Sequence, residues 1–451
     1  MFFTINYSFF TFSSSLLFFH YYFFIDFVVK KVFSHAIVKN LSILVSGTVI
    51  AQLIVIGFQL VLRRLYSPEE FGAFAVYMSL LGIVATLSSW RYEQAILLPK
   101  DEKKAGAVFL LSVFLMLLSF LVITLLIVLF HKPIAGFIQL NEAYSWWLWL
   151  LPLSILFFGL TQALNYLLIR HKMFAFSARN KVWRRLTEGA GQSLLGGLGN
   201  TVGLVIGDLM GQLLIALRTW YKLPRFKNQW EGFKPLKEVA IQYRDFPLKN
   251  GIPSVLNALS LMLPVIIINR KFTPEETGYF DLARMVLIIP LSLVTASLSQ
   301  VLLQRFTEKR NANRSMQKEA VGTLLSLLLI GVLFGLVIHF FGADLFHFVF
   351  GDTWRVSGQF ASILVWAFAL KFVVSPFNIL FTVFEKIGWL SLWQVFYFIL
   401  ILCLAWLPFK STEAFLMFYL WIELISYLVV ALMDGAVLRS YEKIIAANSQ
   451  I

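Results

Sequence analysis

The sequence predicts an all-α polytopic membrane protein, and three observations support this prediction. Hydrophobic residues make up 59% of the 451 residues, charged residues only 14%, and the mean hydropathy is +0.78. A soluble domain has roughly 45–50% apolar and about 25% charged residues. Apolar runs of about 20 residues, long enough to cross about 30 Å of hydrocarbon, recur along the chain. Runs such as 107–130 and 321–341 show no apolar–polar alternation, which excludes a barrel of strands and indicates helices.

Twelve such runs predict about twelve transmembrane helices. They cover residues 41–62, 72–97, 106–130, 146–169, 174–196, 199–220, 250–269, 278–304, 320–341, 358–384, 388–408 and 413–438. If the first helix starts inside, the segments predicted to be cytoplasmic hold 24 of the 38 Lys and Arg residues, against seven in the outer segments. Because basic residues collect in cytoplasmic loops, this bias predicts that both termini are cytoplasmic.

The net charge of +14 is explained largely by these basic cytoplasmic segments, so we expect no nucleic acid partner. A single cysteine excludes an internal disulfide and a cysteine metal cluster. The sequence has no glycine-rich phosphate loop, no His-Glu-x-x-His motif and no nucleophile elbow. We therefore predict a protein that is not an enzyme and that holds no cofactor.

The longest connection, 222–249, is basic and divides the chain into two halves. We predict a six-helix lobe over 39–221, this cytoplasmic linker, a second six-helix lobe over 250–440 and a cytoplasmic tail over 441–451. Residues 1–38 are rich in Phe and Tyr and have no basic residue before Lys30, so they do not form a good signal peptide. We interpret this extension as an upstream start or an interfacial arm rather than a thirteenth helix.

One motif occurs twice, at the same place in each half. Residues 64–74 read RLYSPEEFGAF and residues 270–280 read RKFTPEETGYF. Each copy has the chemistry of a helix start, with Ser67 or Thr273 as the N-cap, Pro at the first helical position and acids in the first turn. The repetition predicts that the two lobes are duplicates with the same membrane topology, related by an axis along the membrane normal.

Charged side chains inside a membrane usually face a cavity or a partner. On the fifth run, Lys181, Arg185, Glu188 and Gln192 follow each other at helical spacing and share one face, with Arg184 beside them. One interpretation is a cavity wall that binds an anionic headgroup such as pyrophosphate, which suits the planar fork of Arg. The other is an interfacial helix whose basic face extends to water. We favour the cavity wall because the stripe continues past mid-span.

Further embedded charges lie on other runs. Arg284 lies one turn from Asp281, and we expect these two to neutralise each other. Lys371 has no acid on its own helix and is a stronger site candidate. Asp208 either carries a coupling ion, H⁺ or Na⁺, or pairs with the fifth helix. The predicted substrate-binding residues are Arg91, Lys181, Arg184, Arg185, Arg284 and Lys371, and the predicted ion-coupling residues are Glu188 and Asp208.

A series of short motifs gives the chain a family resemblance from about residue 40 onward. The motifs are SGTVIAQ at 46–52, RLYSPEEFG at 64–72, RYEQAILLPK at 91–100, LPL at 151–153, RDFP at 244–247, FGDTW at 350–354 and SP at 375–376. In this order they resemble the oligosaccharide flippases of the polysaccharide transporter family, in the superfamily that contains the multidrug and toxin extrusion transporters. Cavity residues diverge widely in this family, so the site residues proposed above do not rest on it.

The resemblance implies two six-helix lobes arranged as a V around a central cavity. It also implies transport of an undecaprenyl-diphosphate-linked oligosaccharide across a bacterial inner membrane for O-antigen (lipopolysaccharide), capsule or exopolysaccharide synthesis. The partners expected on this basis are the lipid-linked sugar, membrane lipids and the polysaccharide polymerase machinery. Two alternatives stay open: a cation-coupled multidrug exporter on the same fold, and a membrane glycan polymerase or acyltransferase.

Overall fold

The computed structural model describes residues 35–223 and 233–448. Most of the predicted N-terminal extension, the centre of the predicted linker and the last three residues lie outside these ranges. Within the described ranges the secondary structure is entirely helical.

Twelve principal helices follow the twelve predicted runs in order. They are α1 His35–Leu65, α2 Pro68–Ala85, α3 Glu102–Ile138, α4 Leu151–Arg170, α5 Phe174–Gly197, α6 Gly203–Lys222, α7 Ile252–Lys271, α8 Pro274–Asn311, α9 Gln317–Phe350, α10 Arg355–Val374, α11 Ile387–Cys403 and α12 Thr412–Asn448. Ten helical segments of the described ranges are long and apolar enough to cross a membrane. The two principal helices outside that group are α5, which carries the charged stripe, and α11, which has only 17 residues. Twelve crossings and cytoplasmic termini therefore stay predictions.

The second helix is shorter than predicted. The apolar run 72–97 predicts one span, but α2 ends at Ala85 and a 3₁₀ helix, Tyr92–Leu97, follows it. Trp90 and Arg91 between them have φ angles of 52° and 67°. A left-handed backbone is incompatible with continuing a right-handed helix, so the chain turns at this point.

The two copies of the motif start α2 and α8 as predicted. The Ser67 hydroxyl accepts a hydrogen bond from the Glu70 N–H at 3.2 Å, and the Glu70 carboxylate accepts one from the Ser67 N–H at 2.6 Å. Thr273 and Glu276 form the same reciprocal pair in α8. Both predicted N-caps are confirmed. We call the end of the molecule at Ser67 and Thr273 the motif end.

The two copies of the motif also contact each other, because α2 packs against α8. A Cβ atom on Gly72 would lie 1.7 Å from the Pro274 carbonyl oxygen, and one on Gly278 would lie 2.0 Å from the Pro68 carbonyl oxygen. Only a residue without a side chain permits this distance. The glycine in each copy therefore lets the two halves meet backbone to backbone at the motif end.

The opposite end carries the linker helix Phe233–Gln242, and we call it the linker end. This helix packs against α3, and the Tyr92 hydroxyl donates a hydrogen bond of 2.9 Å to the Ala240 carbonyl. A short π-helical turn, Phe246–Gly251, then leads into α7. The described part of the linker thus lies against the N-terminal half.

Candidate functional site

Small residues bring α5 and α6 close together in the N-terminal half. A Cβ atom on Gly207 would lie 2.8 Å from the Glu188 carbonyl oxygen, and one on Gly211 would lie 3.0 Å from the Arg184 carbonyl oxygen. This approach places the Arg184 guanidinium 3.2 Å from the carboxylate of Asp208, which is only 1% exposed. The Gln212 amide donates a 2.5 Å hydrogen bond to the same carboxylate.

The remaining charges of α5 have other partners. The Arg185 Nη1 donates to both carboxylate oxygens of Glu188, at distances of 2.6 and 2.9 Å. The Lys181 ammonium donates a 2.9 Å hydrogen bond to the Thr48 hydroxyl of α1. The predicted stripe therefore divides between α1, α6 and its own helix rather than facing one direction.

We call Lys181, Arg184, Arg185, Glu188 and Asp208 the N-half cluster. Its three cations face two carboxylates, so one positive charge is left over when all five are ionised. Asp208 lies beside α5, as one of the two sequence interpretations expected, and Glu188 lies between two arginines. The roles of both carboxylates in ion coupling stay predictions.

A second cluster of charged and phenolic groups lies in the C-terminal half. Glu423 of α12 is buried and accepts a hydrogen bond from the Tyr397 hydroxyl, and Tyr419 interacts with it electrostatically. The Lys371 ammonium lies 5.4 Å from the centre of the Tyr427 ring and within electrostatic range of Glu423. Aromatic faces attract cations at such distances.

Arg284 of α8 completes this second cluster. Its guanidinium donates a 3.0 Å hydrogen bond to the Leu261 carbonyl of α7 and interacts electrostatically with Lys371. We call Arg284, Lys371, Tyr397, Tyr419 and Glu423 the C-half cluster. Two cations face one carboxylate, so this cluster also carries one surplus positive charge when ionised. The structure thus groups five of the predicted binding residues into two cationic clusters, one in each half.

Arg91, the sixth predicted binding residue, lies apart from both clusters. It precedes the 3₁₀ helix after α2, and its guanidinium lies 3.9 Å from the Glu93 carboxylate. Glu93 is buried and accepts a hydrogen bond from the Ser89 hydroxyl. In the structure Arg91 belongs to the turn at the linker end of α2.

The expected pairing of Asp281 with Arg284 is wrong. Asp281 instead accepts a 2.9 Å hydrogen bond from Arg63, a residue of α1 in the other half. The first predicted run ends at residue 62, so Arg63 is counted among the seven basic residues of the outer segments, whereas the structure includes it in α1 and buries its side chain. A signal was present, because Arg63 and Asn269 both precede the duplicated motif and both are polar at the end of an apolar helix.

Arg63 makes several further contacts at the motif end. Its guanidinium lies 3.5 Å from the centre of the Phe71 ring and 4.5 Å from that of the Trp354 ring. The Arg63 Nε donates a 2.9 Å hydrogen bond to Gln59, and the Trp354 indole N–H donates a 2.7 Å hydrogen bond to the Arg63 carbonyl. These contacts close the motif end between α1, α2, α8 and the start of α10.

Two buried carboxylates of α12, Glu423 and Asp434, were not identified from the sequence, because α12 has a continuous apolar pattern around them. Among the described residues, no group of three or more His, Cys, Asp and Glu side chains is arranged to hold a metal ion. The charged clusters are built from basic, acidic and phenolic groups, which suit the binding of an anion and a small cation.

Comparison with known proteins identifies the family. Residues 61–359 match the family described as polysaccharide biosynthesis protein. The chain belongs to this family. It is 25% identical over 283 residues to the succinoglycan biosynthesis transport protein ExoT of Rhizobium meliloti (strain 1021). That match covers 61% of the chain and 55% of the relative, so the chain spans only about half the length of this curated protein.

Solved structures share the fold over almost the whole chain. The lipid II flippase MurJ in an inward closed conformation superposes with a TM-score of 0.71 at 12% identity, covering 90% of this chain and 91% of MurJ. An inward-facing multidrug resistance MATE family transporter of the MOP superfamily gives a TM-score of 0.65 at 15% identity, covering 87% and 96%. The chain is thus a multi-pass membrane protein with the fold of these transporters.

Proposed function

We propose that the protein flips undecaprenyl-diphosphate-linked oligosaccharide repeat units from the cytoplasmic to the outer leaflet of a bacterial inner membrane. The transported repeat units would then be assembled into O-antigen, capsule or exopolysaccharide. The observation that carries the proposal is the pair of cationic clusters, one in each half, on a fold shared with a lipid II flippase. Membership of the polysaccharide biosynthesis family supports the sugar as cargo.

The depth of the clusters suits a substrate headgroup that crosses the hydrocarbon. At 1.5 Å per residue, Arg284 lies about 15 Å along α8 from its start, and Lys371 lies about 24 Å along α10. Arg184 lies about 20 Å from the motif end of α5. A diphosphate carries two negative charges, and each cluster offers one surplus positive charge. In the proposed mechanism the headgroup lies between the halves in a central cavity, while the lipid tail stays in the bilayer.

Release would require the motif end to open. In this proposal the motif end faces outward, in agreement with the predicted cytoplasmic termini. The contacts of Gly72 with Pro274 and of Arg63 with Asp281 join the halves there, so both would separate when the halves rock around the bound headgroup. The substrate shifts this equilibrium only if it binds one state more tightly than the other.

Ion coupling belongs to the same proposal. Asp208 and Glu188 hold Arg184 and Arg185 in ion pairs. Binding of H⁺ or Na⁺ to either carboxylate would free an arginine for the diphosphate, whereas loss of the ion would return the arginine to its acid. In this mechanism the ion and the substrate each alter the affinity for the other by the same factor.

The decisive experiment measures the sidedness of lipid-linked oligosaccharides after deletion of the gene. We expect single repeat units on the cytoplasmic leaflet and loss of surface glycan, both restored by the wild-type gene. Units accumulating on the outer leaflet would instead support the polymerase alternative. If neither pool changes, the proposal fails, and increased sensitivity to cationic dyes would then favour a multidrug exporter, whose fold the chain shares.

A further inference from the structure

We propose that Asp434 of α12 and Asn378, which follows α10, form a binding site for a monovalent cation of the size of Na⁺. The site lies within the C-terminal half, apart from the carboxylates of the N-half cluster. A role of this site in coupling, in addition to that proposed for Asp208 and Glu188, would rest on the proposed function, whereas cation binding itself does not.

Asp434 is a buried carboxylate without a protein partner in the described part of the chain. Asp434 is 4% exposed, and neither of its carboxylate oxygens accepts a hydrogen bond from a described residue. No described Lys, Arg or His lies within ion-pair distance of it. A buried carboxylate is stable only when a cation, a proton or hydrogen-bond donors compensate the loss of water.

The register between two helices places Asn378 at the level of Asp434. Both α10 and α12 begin at the motif end. Trp354, just before α10, donates a hydrogen bond to the Arg63 carbonyl, and the Thr412 hydroxyl at the start of α12 donates a 2.6 Å hydrogen bond to the Glu276 carboxylate. The two elements therefore run parallel.

Two contacts fix their offset. The Lys371 ammonium lies 5.4 Å from the centre of the Tyr427 ring, so the residue numbers that face each other on the two elements differ by 56 at this level. The Phe384 and Tyr441 rings lie 5.0 Å apart, an offset of 57. Asn378 lies between these levels, and the same offset of 56 leads to Asp434. The segment Ser375–Asn378 packs against α12, as this register requires.

Among the described residues, Asn378 supplies an unpaired side-chain oxygen at this level. The Asn378 side-chain oxygen is buried and accepts no hydrogen bond from a described residue. The segment Ser375–Asn378 is a 3₁₀ turn that interrupts the helix, and Pro376 has no N–H to donate to the Phe372 carbonyl. Interrupted helices in transporters coordinate Na⁺ through backbone carbonyls together with side-chain oxygens.

The nearest charged groups of the C-half cluster have other partners and do not neutralise Asp434. Lys371 is held over the Tyr427 ring, seven residues and therefore about 10 Å before Asp434 along α12. Glu423 lies farther still and is engaged by Tyr397 and Tyr419. Two carboxylate oxygens and one amide oxygen thus form the core of an oxygen site with one negative charge, which a single monovalent cation neutralises.

The test is equilibrium binding of radioactive Na⁺ to the purified full-length protein in detergent, with choline as the replacement cation. We expect saturable binding of one Na⁺ per chain and a Na⁺-dependent rise in melting temperature. Asp434→Asn should abolish both, and Asn378→Ala should weaken binding at least tenfold. Asp344→Asn is the matched control, because Asp344 is an exposed carboxylate paired with Arg355.

Wild-type binding by Asp434→Asn, or no Na⁺ binding by the wild type, would overturn the proposal. If Asp434→Asn does not fold, Asn378→Ala decides, and unchanged binding in that variant also overturns it. Na⁺ binding that depends on Asp434 in a protein whose deletion leaves lipid-linked sugars unchanged would uphold the site and refute the flippase function.

Discussion

Arg63 and Asp281 form an ion pair between the two halves of the protein, with 2.9 Å between Nη2 and Oδ2. The Arg63 side chain is 1% exposed, whereas that of Asp281 is 34% exposed. The pair thus joins a buried cation to an acid that still reaches the surface of the described structure. Its position at the motif end makes it a lock whose removal should favour separation of the halves.

We therefore expect Asp281→Asn to open the motif end, because it leaves the Arg63 guanidinium buried without its counter-charge, and breaking a buried pair costs about 3–5 kcal/mol. Spin labels at the exposed residues Glu142 and Lys410, in a chain with Cys403 replaced by Ser, would measure the separation. The label distance should increase. Asp344→Asn at the same end is the control, and an unchanged distance in Asp281→Asn would contradict the lock.

Gly72→Ala and Gly278→Ala should each disrupt the backbone contact between the halves. The added methyl group would overlap the opposite proline carbonyl, at 1.7 and 2.0 Å respectively. Overpacking of this kind costs about 1–3 kcal/mol, so the melting temperature in detergent should fall and export should be lost. Gly57→Ala is the matched control, because its Cβ would meet no atom within 4 Å. Equal stability of Gly72→Ala and Gly57→Ala would refute the predicted overlap.

Lys371→Met should abolish export of the lipid-linked oligosaccharide while leaving protein abundance and melting temperature near the wild-type values. The expected cause is loss of the surplus positive charge of the C-half cluster. Lys371→Arg retains that charge and should keep at least a tenth of the export. Complementation of the deletion strain provides the measurement, with exposed Lys132→Met as the control. Export by Lys371→Met equal to that of the wild type would remove Lys371 from the site.

Arg184 and Asp208 provide a test of coupling within the N-half cluster. Asp208→Asn should lower the free energy of unfolding by about 1–3 kcal/mol, because it removes the acid that Arg184 contacts at 3.2 Å and leaves only Glu188 at 4.0 Å. Arg184→Gln in the same chain should recover part of this loss, since the weakly paired charge is then removed. A double-mutant cycle on thermal unfolding measures the interaction. Purely additive effects would show that the 3.2 Å contact contributes nothing to stability.

The features that were predicted from the sequence are the local ones. The order of the helices follows from apolar runs, and the starts of α2 and α8 follow from the Ser67 and Thr273 caps, whose partners lie three residues away. The predicted end of α2 was wrong, because the apolar run continues through Trp90, whereas the backbone there becomes left-handed.

The features that were not predicted depend on tertiary contacts. Arg63 and Asp281 are 218 residues apart, so no pattern along one helix reveals the pair. Asp434 is an acid in a long apolar helix that also carries Glu423, and only its surroundings show that the described residues offer it no donor. Spacing predicted which charges share a helix, but glycines at helix contacts decided which of them meet.

The contact between the duplicated motifs has a consequence for the history of the chain. Each copy uses the same patch to bind the other, with Gly72 against Pro274 and Gly278 against Pro68. This is the self-complementary arrangement that a two-fold symmetric homodimer uses. A six-helix ancestor with one copy of the motif would already have carried both sides of this interface. Fusion of two such genes would then have kept the dimer and allowed the halves to acquire different charges.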